Sequence, residues 1–303
     1  MMTQIAPAYY PQFHCIADRC RHSCCIGWEI DVDEETLETY RTLPGPMGEE
    51  IRASIVTDGE TPHFALREQD RCPFLNEQGL CRMIMEYGED VLCEICREHP
   101  RFYNAYPDTL EVGLGLSCEA AAQLILSQQE PLHLISISGA PIPEHPLRTF
   151  RSQLLELLED AEWTFDERLQ NILDLCGMAL PDLNWTDTYR ALERLDSAWD
   201  TVLDTLSAPT APIGTEWDRP FINLTSYFLY RHIPAALNDD QPELYAAFAV
   251  LSTAIIRRLF AAAPRKTLDA LAELCRLYSS EIEYSPENTD TLLDLLWEHR
   301  EIN

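Results

Sequence analysis

The second half of the chain carries apolar residues at the spacing of amphipathic helices. In the segment 169–176, for example, leucine, isoleucine and cysteine recur three and four positions apart. Four such runs follow helix-start signals, namely the capping box Thr164 to Glu167, Pro242, Thr267 and the pair Ser285-Pro286. No alternation of strand and helix patterns supports a doubly wound sheet. The pattern predicts a helical region over residues 148–303.

The first 129 residues contain shorter and less regular patterns. Asp31 to Glu35 has the composition of an N-cap and acidic first turn, and the helix it starts should end at Pro44. Further expectations are a helical turn at 19–25, a strand at 61–66, a tight turn at Asn76 to Gly79, a helix at 86–98 ended by Pro100, and a helix from Cys118 capped by Ser117. This half therefore combines short helices with strand or irregular segments.

A proline-rich stretch separates the two patterns. Residues 130–147 contain Pro131, Pro141, Pro143 and Pro146. We therefore predict a cysteine-rich metal-binding region over 1–129, a connection over 130–147 and an α-helical region over 148–303. The predicted fold class is mainly α.

The composition restricts the partners. The 303 residues carry a formal net charge of −29, which argues against a nucleic-acid partner and favours cationic ones. The first residues show no leader, and no apolar run approaches the ~18 residues of a membrane span, so we expect a cytoplasmic protein without a membrane partner. Lys266 is the only lysine among 22 basic residues. Drift towards arginine and avoidance of self-modification by a lysine-directed enzyme are both open explanations.

Nine of the eleven cysteines lie in the first 118 residues: Cys15, Cys20, Cys24, Cys25, Cys72, Cys81, Cys93, Cys96 and Cys118. Thiolates gathered at one place repel each other unless a cation neutralises them, and a reducing compartment disfavours disulfides. The candidate groups are a structural zinc ion and a [4Fe–4S] cluster, each of which takes four ligands; nine cysteines suffice for one site or for two. Adjacent side chains usually diverge, so we expect only one of Cys24 and Cys25 to bind a given metal.

Other chemical motifs are missing from the sequence. It contains no glycine-rich phosphate loop, GxSxG elbow, HExxH pair, EF-hand loop or CxxxCxxC loop of radical enzymes. Cys176 and Cys275 fall on apolar helix faces and are predicted to be core thiols. The residues alone therefore indicate a metal-binding region but locate no nucleotide site.

The motifs resemble the flagellin lysine N-methylase family over nearly the whole chain. The resemblance is carried by Tyr10-x2-Phe13-x-Cys15-x4-Cys20-x3-Cys24-Cys25-x-Gly27-Trp28-x-Ile30, Cys72-Pro-Phe-Leu, Leu80-Cys81, Gly88-Glu89, Cys93-x2-Cys96-Arg97-x2-Pro100-Arg101, Leu116-Ser117-Cys118, Asn223-x3-Tyr227-Phe-Leu-Tyr230-Arg231-His232 and Tyr284-Ser-x-Glu287-Asn288. The CPFL and CxxCRxxPR parts are shared with a broader group of zinc- or iron-chelating proteins.

The resemblance implies transfer of methyl groups from S-adenosylmethionine to ε-amines of flagellin lysines, with an iron–sulfur cluster bound by the cysteines. Residues with suitable groups in the family-like motifs are predicted to position substrate or donor: Tyr227, Tyr230, Arg231, Tyr284 and Glu287. Helix packing of the two tyrosines, an ordinary ion pair of Arg231 and a first-turn acid at Glu287 are the structural alternatives. A non-catalytic zinc- or iron-binding module is the alternative function.

Overall fold

Residues 2–57, 59 and 61–300 are described by a computed structural model, in which the chain separates into two units. The smaller unit comprises His14–Phe102, and the larger comprises the residues up to Phe13 and from Tyr103 onwards. The connection 130–147, where the sequence placed a boundary, lies within the larger unit. Because the N-terminal segment belongs to the larger unit, the division does not follow the order of the chain.

Within the residues that the structure describes, six strands form two sheets. They are β1 (Thr3–Pro7), β2 (Ile55–Val56), β3 (His63–Phe64), β4 (Arg101–Ala105), β5 (Thr109–Leu114) and β6 (Leu134–Ser136). One sheet has the order β4-β5-β1-β6, with β1 parallel to β5 and antiparallel to β6; β2 and β3 form an antiparallel pair. The four-stranded sheet was not predicted from the sequence.

Fourteen α-helices occur in the described part of the chain. They are α1 (Glu34–Thr42), α2 (Gly45–Ala53), α3 (Arg82–Tyr87), α4 (Glu94–Glu98), α5 (Glu119–Leu126), α6 (Pro146–Glu159), α7 (Phe165–Cys176), α8 (Trp185–Ala191), α9 (Ala198–Leu203), α10 (Asp218–His232), α11 (Ala236–Asp239), α12 (Pro242–Ala262), α13 (Leu268–Tyr278) and α14 (Pro286–Glu298). A π-helical segment, Ser279–Glu283, joins α13 to α14. The prediction of a mainly α fold is confirmed.

Helix α12 is the centre of the larger unit. It packs against α7, α10, α13 and α14. By length and composition it is apolar enough to cross a membrane, but 72% of its apolar window is buried inside the protein. That burial is typical of a core helix, and it explains why α12 is apolar on nearly all sides.

The predicted helix starts in the second half are confirmed. Thr164 and Glu167 form the reciprocal capping box of α7. The Thr267 side chain caps α13, α12 begins at Pro242, and the Ser285 side chain caps α14. These residues satisfy amide groups that would otherwise lack a partner at the first turn. Cys176 and Cys275 are buried, as predicted.

The smaller unit agrees less well with the sequence prediction. Asp33, inside the predicted cap segment, accepts a hydrogen bond from the Thr36 amide at the start of α1, and β3 lies within the predicted strand. The helix predicted over 86–98 is wrong, because Gly88 takes a φ of +86° and ends α3 before a short 3-10 turn and α4. The turn predicted over 19–25 is also wrong, since the 3-10 helix Ala17–Arg19 ends at an extended Cys20.

A buried ion pair ties α6 to the sheet of the larger unit. Arg151 on α6 donates from Nη1 and Nη2 to the two carboxylate oxygens of Glu111 on β5, at 2.7 and 2.8 Å. The side chains are 2% and 0% exposed. Such a pair adds little compared with apolar residues, but removing Arg151 leaves the buried Glu111 carboxylate with only the longer, 3.6 Å contact to Arg148.

Arg151→Met should therefore lower the free energy of unfolding of the larger unit by about 3 kcal/mol. The control is Arg190→Met, which removes the exposed pair with Asp204 and should cost less than about 1 kcal/mol. Urea unfolding followed by tryptophan fluorescence suits the comparison, because five of the six tryptophans lie in the larger unit. Equal costs for the two variants would contradict the role given to the pair.

Candidate functional site

The core of the smaller unit gathers five of the nine predicted metal ligands. They are Cys25, Cys72, Cys81, Cys93 and Cys96, packed with aromatic residues such as Tyr40, Phe64 and Phe74. The thiols are close enough for their charges to interact: Cys25 and Cys81 act on Cys72, Cys25 and Cys93 act on Cys81, and Cys25 and Cys72 act on Cys96. We call this set the thiol cluster.

Local backbone structure brings these cysteines together. The Cys72 amide donates to the Cys25 carbonyl at 2.9 Å, which joins two segments 47 residues apart in sequence. The predicted turn at Asn76 is confirmed, because its side-chain oxygen accepts from the Gln78 and Leu80 amides. This turn pairs Leu75 with Cys81 and so brings Cys81 back towards Cys72.

Backbone amides point at two of the sulfurs. The Phe74 and Leu75 amides, two and three residues after Cys72, donate to its sulfur; the Met83 and Ile84 amides do the same for Cys81. Each of these hydrogen bonds favours the thiolate over the thiol. Amide groups at these positions support a thiolate that binds a metal, since hydrogen bonds to the sulfur tune such centres.

Without a cation, the thiol cluster favours neutral thiols at several positions. Burial raises the pKa of Cys72 to about 12, and burial likewise raises the pKa of Cys81. The hydrogen bond between Cys93 and Cys96 lowers the pKa of the first and raises that of the second. Donation from Cys24 lowers the pKa of Cys25 to about 7. Collecting several thiolates here therefore requires positive charge.

The donor chemistry fits a zinc ion or an iron–sulfur cluster, both of which bind buried thiolates. Within residues 2–57, 59 and 61–300, however, no three His, Cys, Asp or Glu side chains are arranged so that they already surround a metal position. The thiol cluster would thus need side-chain reorientation to bind one. The nature of the group stays a prediction.

The remaining four predicted ligands lie outside this core, although Cys24 contacts it through its hydrogen bond to Cys25. Cys15, Cys20 and Cys24 belong to the 14–24 segment; the Cys15 sulfur accepts from the Ala17 amide, and the Cys20 thiol donates to the His22 carbonyl. Cys118 belongs to the larger unit, where it is the N-cap of α5 in place of the predicted Ser117. Eight of the nine cysteines therefore belong to the smaller unit, and five of these eight form the thiol cluster.

The larger unit contains a second candidate site around a buried carboxylate, Glu283, whose side chain is 0% exposed. Arg231 Nε lies 3.1 Å from Glu283 Oε1, and His232 Nε2 lies 2.7 Å from the same oxygen. The Tyr227 hydroxyl donates to the Glu283 carboxylate at 3.0 Å while it accepts from Arg231 Nη1 at 2.9 Å. We call these four residues the Glu283 cluster.

The protonation states in the Glu283 cluster follow from its contacts. Burial raises the pKa of Glu283, but the charge of Arg231 and the hydrogen bond from His232 outweigh burial and hold it at about 2. Burial lowers the pKa of His232 below its ordinary value and raises that of Tyr227 well above it. Near neutral pH the carboxylate is ionised and the imidazole is neutral. Because Glu283 can only accept, Nε2 of His232 carries the proton and Nδ1 has the lone pair.

Helix α10 and the π-helical segment position this site. Tyr227 and Arg231 lie four residues apart on one face of α10, and Glu283 ends the π-helical segment. Interruptions of this kind are frequent at functional sites. The adjacent Tyr284 is 37% exposed, and the Arg231 guanidinium lies 5.3 Å from the centre of its ring. The site therefore extends from a closed ion network to an aromatic ring at the surface.

The structure brings three of the five predicted positioning residues together: Tyr227, Arg231 and Tyr284. Tyr230 lies in a different environment, with its hydroxyl donating to the Val112 carbonyl and its ring under Arg151. Glu287 is exposed in the first turn of α14. These positions do not test the predicted roles.

Neither Glu283 nor a role for His232 was predicted from the sequence. His232 ends a family-like motif and Glu283 precedes another. Their positions next to those motifs were therefore the only indication in the sequence that these two residues could belong to a site.

The chain is thus a mainly helical protein with two candidate sites. The thiol cluster lies in the smaller unit, and the Glu283 cluster lies in the larger one. Comparison with known proteins is more specific. The lysine-N-methylase of Salmonella typhimurium (strain LT2) is 27% identical over 139 residues, which cover 44% of this chain and 35% of that protein. The figures are the same for the lysine-N-methylase of Salmonella choleraesuis (strain SC-B67).

The flagellar biosynthetic protein FliU of Salmonella muenchen is 25% identical over 146 residues, which cover 44% of this chain and 82% of FliU. The similarity to lysine-N-methylases inferred from the motifs is thereby confirmed over 44% of the chain, and its wider extent stays a prediction. The match spans about a third of the length of the two lysine-N-methylases, 35%. No family model matches the chain, and no solved structure matches it.

The Glu283 cluster generates a pH prediction. Since the pKa of Glu283 falls from 4.5 to about 2 on folding, its stabilisation is complete above about pH 5 and is lost as the pH falls towards 2. The shift corresponds to about 3 kcal/mol. Glu283→Gln should lower the free energy of unfolding at pH 7 by a similar amount and flatten its fall between pH 5 and 2.

The matched control is Glu156→Gln, an exposed change on α6 with the same loss of charge. It should leave both the stability at pH 7 and its pH dependence close to those of the unmodified chain. Parallel pH curves for Glu283→Gln and the unmodified chain would show that the Glu283 cluster contributes no such linkage.

Proposed function

We propose that this chain is a protein-lysine N-methyltransferase that acts in the cytoplasm, with S-adenosylmethionine as donor and flagellin as substrate. The observation that carries the proposal is its similarity to two lysine-N-methylases over 139 residues. The name of the FliU relative supports a flagellar substrate. A net charge of −29 suits a lysine-bearing protein partner.

The Glu283 cluster and Tyr284 are the groups we assign to methyl transfer. Transfer would begin with the loss of one proton from the lysine ammonium to Nδ1 of His232. The neutral ε-amine would then attack the methyl carbon as the carbon–sulfur bond breaks, which leaves a methylated ammonium and a neutral thioether. A lysine with a pKa near ~10.4 is almost wholly protonated at neutral pH, so a base is required. His232 has the protonation state of a base, and Glu283 orients it. The Tyr284 ring offers an aromatic face to a sulfonium, and Arg231 offers positive charge to the donor's carboxylate.

For the thiol cluster, we propose an iron–sulfur cluster, with zinc as the alternative. Its ligands come from Cys25, Cys72, Cys81, Cys93 and Cys96, while Cys15, Cys20, Cys24 and Cys118 remain further candidates from the predicted set. The support is the crowding of buried thiols with amide donors aimed at two sulfurs. A non-catalytic metal-binding module is the second candidate function, because the thiol cluster lies entirely in one unit of the chain.

The first test of the proposed activity is methyl transfer. Purified chain with S-adenosylmethionine and flagellin should add methyl groups to flagellin lysines, detected by mass spectrometry of its peptides. Tyr227→Phe removes a hydroxyl that contacts both Arg231 and Glu283, so it should lower the rate by about tenfold or more. Flagellin whose lysines are replaced by arginine should remain unmodified.

A matched control separates this effect from the loss of any buried hydroxyl. Tyr189→Phe also deletes a buried tyrosine hydroxyl, which lies 3.1 Å from the Tyr278 hydroxyl, outside the Glu283 cluster. Its rate should stay within about twofold of the unmodified chain. Equal losses in the two variants would assign the effect to stability. Failure of the unmodified chain to methylate flagellin would favour the metal-binding module.

The thiol cluster generates a prediction about metal content. After anaerobic purification, the chain should contain about four irons and four acid-labile sulfides. Cys72→Ser should lose most of this content, because it removes a buried ligand candidate. Cys176→Ser, a buried thiol of the larger unit, should retain it. Zinc without sulfide would indicate a structural site, and a metal-free chain would show that the thiols act only as core residues.

A further inference from the structure

A groove lies between α8 and α14 on the larger unit. It has a volume of about 410 Å³ and is lined on its apolar side by Leu183, Leu192 and Leu295. Two carboxylic residues, Glu193 and Glu287, contribute to the same lining, and the nine lining residues include no lysine, arginine or histidine. The groove thus combines an apolar wall with two carboxylates and no basic residue in its lining.

Hydrogen bonds fix the two sides of the groove to each other. Asn288, in the first turn of α14, accepts from the Glu193 amide at 2.8 Å and donates to the Glu193 carbonyl at 3.0 Å. The Glu193 carboxylate accepts from the Ser285 hydroxyl, the N-cap of α14, at 2.8 Å. The groove is therefore formed before any ligand binds, which lowers the entropy cost of binding.

The chemistry of the groove specifies its occupant. A ligand that buries a hydrocarbon stem and ends in a positive charge matches leucines beside carboxylates, and a lysine side chain has this form. An anionic or wholly apolar ligand would leave Glu193 and Glu287 without compensation. We propose that this groove docks a lysine side chain of the protein substrate. The proposal rests on the proposed function only for the identity of that substrate, flagellin.

Charge on the surrounding surface supports a cationic partner. Beyond Glu287, the exposed side of α14 carries Asp290 and Asp294, and no basic residue occurs between Pro286 and Glu298. Acidic surface of this extent raises the local concentration of a lysine-bearing protein and makes the encounter dependent on salt. Acidic residues alone would attract any cationic surface, whereas the leucines of the groove also contact the hydrocarbon stem of a docked lysine.

The test measures binding of flagellin without S-adenosylmethionine. Compared with the unmodified chain, Glu287→Gln should raise the dissociation constant about threefold, and Glu287→Gln with Glu193→Gln about tenfold. The matched control is Asp294→Asn, which removes one negative charge from the same helix outside the groove lining, and should change the dissociation constant less than twofold. Tryptophan fluorescence verifies that each variant is folded.

A second arm changes the ligand instead of the chain. Flagellin whose lysines have been acetylated retains the side-chain stem but loses the charge, so it should bind about tenfold more weakly to the unmodified chain. It should bind the double variant and the unmodified chain alike. Equal weakening by Glu287→Gln and Asp294→Asn, or undiminished binding of acetylated flagellin, would overturn the groove as a lysine site.

The binding test and the methylation test fail separately. Lysine-dependent binding through Glu193 and Glu287 in a chain that transfers no methyl group would support the groove and overturn the proposed activity. Methyl transfer by the double variant, with flagellin binding unchanged, would support the proposed activity and overturn the groove.

Discussion

A carboxylate with no exposed surface must be neutralised where it lies, and Glu283 imposes that constraint on the larger unit. Arg231 supplies the opposite charge, while Tyr227 and His232 complete the hydrogen bonds of the carboxylate. All three partners lie on α10, so the helix must keep one orientation towards the π-helical segment. An apolar pair would pack as well without the desolvation cost, but it would not fix the orientation of the side chains. A buried ion pair of this kind is therefore consistent with a functional site.

Helix α10 also contacts a second buried ion pair. The Tyr230 ring lies under Arg151, and its backbone carbonyl accepts from the same guanidinium, which pairs with Glu111 on β5. One helix thus contacts two internal ion pairs, Arg231 with Glu283 and Arg151 with Glu111. Tyr227 and Tyr230 therefore belong to one sequence motif but have different surroundings: the first contacts Glu283 and the second contacts Arg151.

Patterns within one element were predictable from the sequence, and contacts between elements were not. The caps at Thr164, Thr267 and Ser285 depend on neighbours within four residues, so local chemistry sufficed. The four-stranded sheet was missed because β5 is almost wholly buried and shows no alternation, while β6 lies in a segment rich in proline. Gly88 shows the same limit, since a single positive φ divided a helix that periodicity made continuous.

The candidate sites show the same distinction. Cysteine spacing predicted a thiol-rich region, but only the fold could show that five thiols share a core while Cys118 lies in the other unit. Glu283 was missed because its importance comes from Arg231, more than fifty positions earlier in the chain. A buried partner of this kind leaves no local pattern.

The structure also bears on why arginine so far exceeds lysine. Arg82, Arg151 and Arg276 each form two hydrogen bonds to one carboxylate, on Glu50, Glu111 and Glu273. Lysine, a compact point charge, cannot reproduce that fork. Exposed arginines such as Arg190 have no such geometric need, so bidentate pairing explains part of the bias and leaves the surface positions to compositional drift or to selection against lysine. The one lysine, Lys266, donates to the Ala261 and Ala263 carbonyls, which occupies its amine at the end of α12.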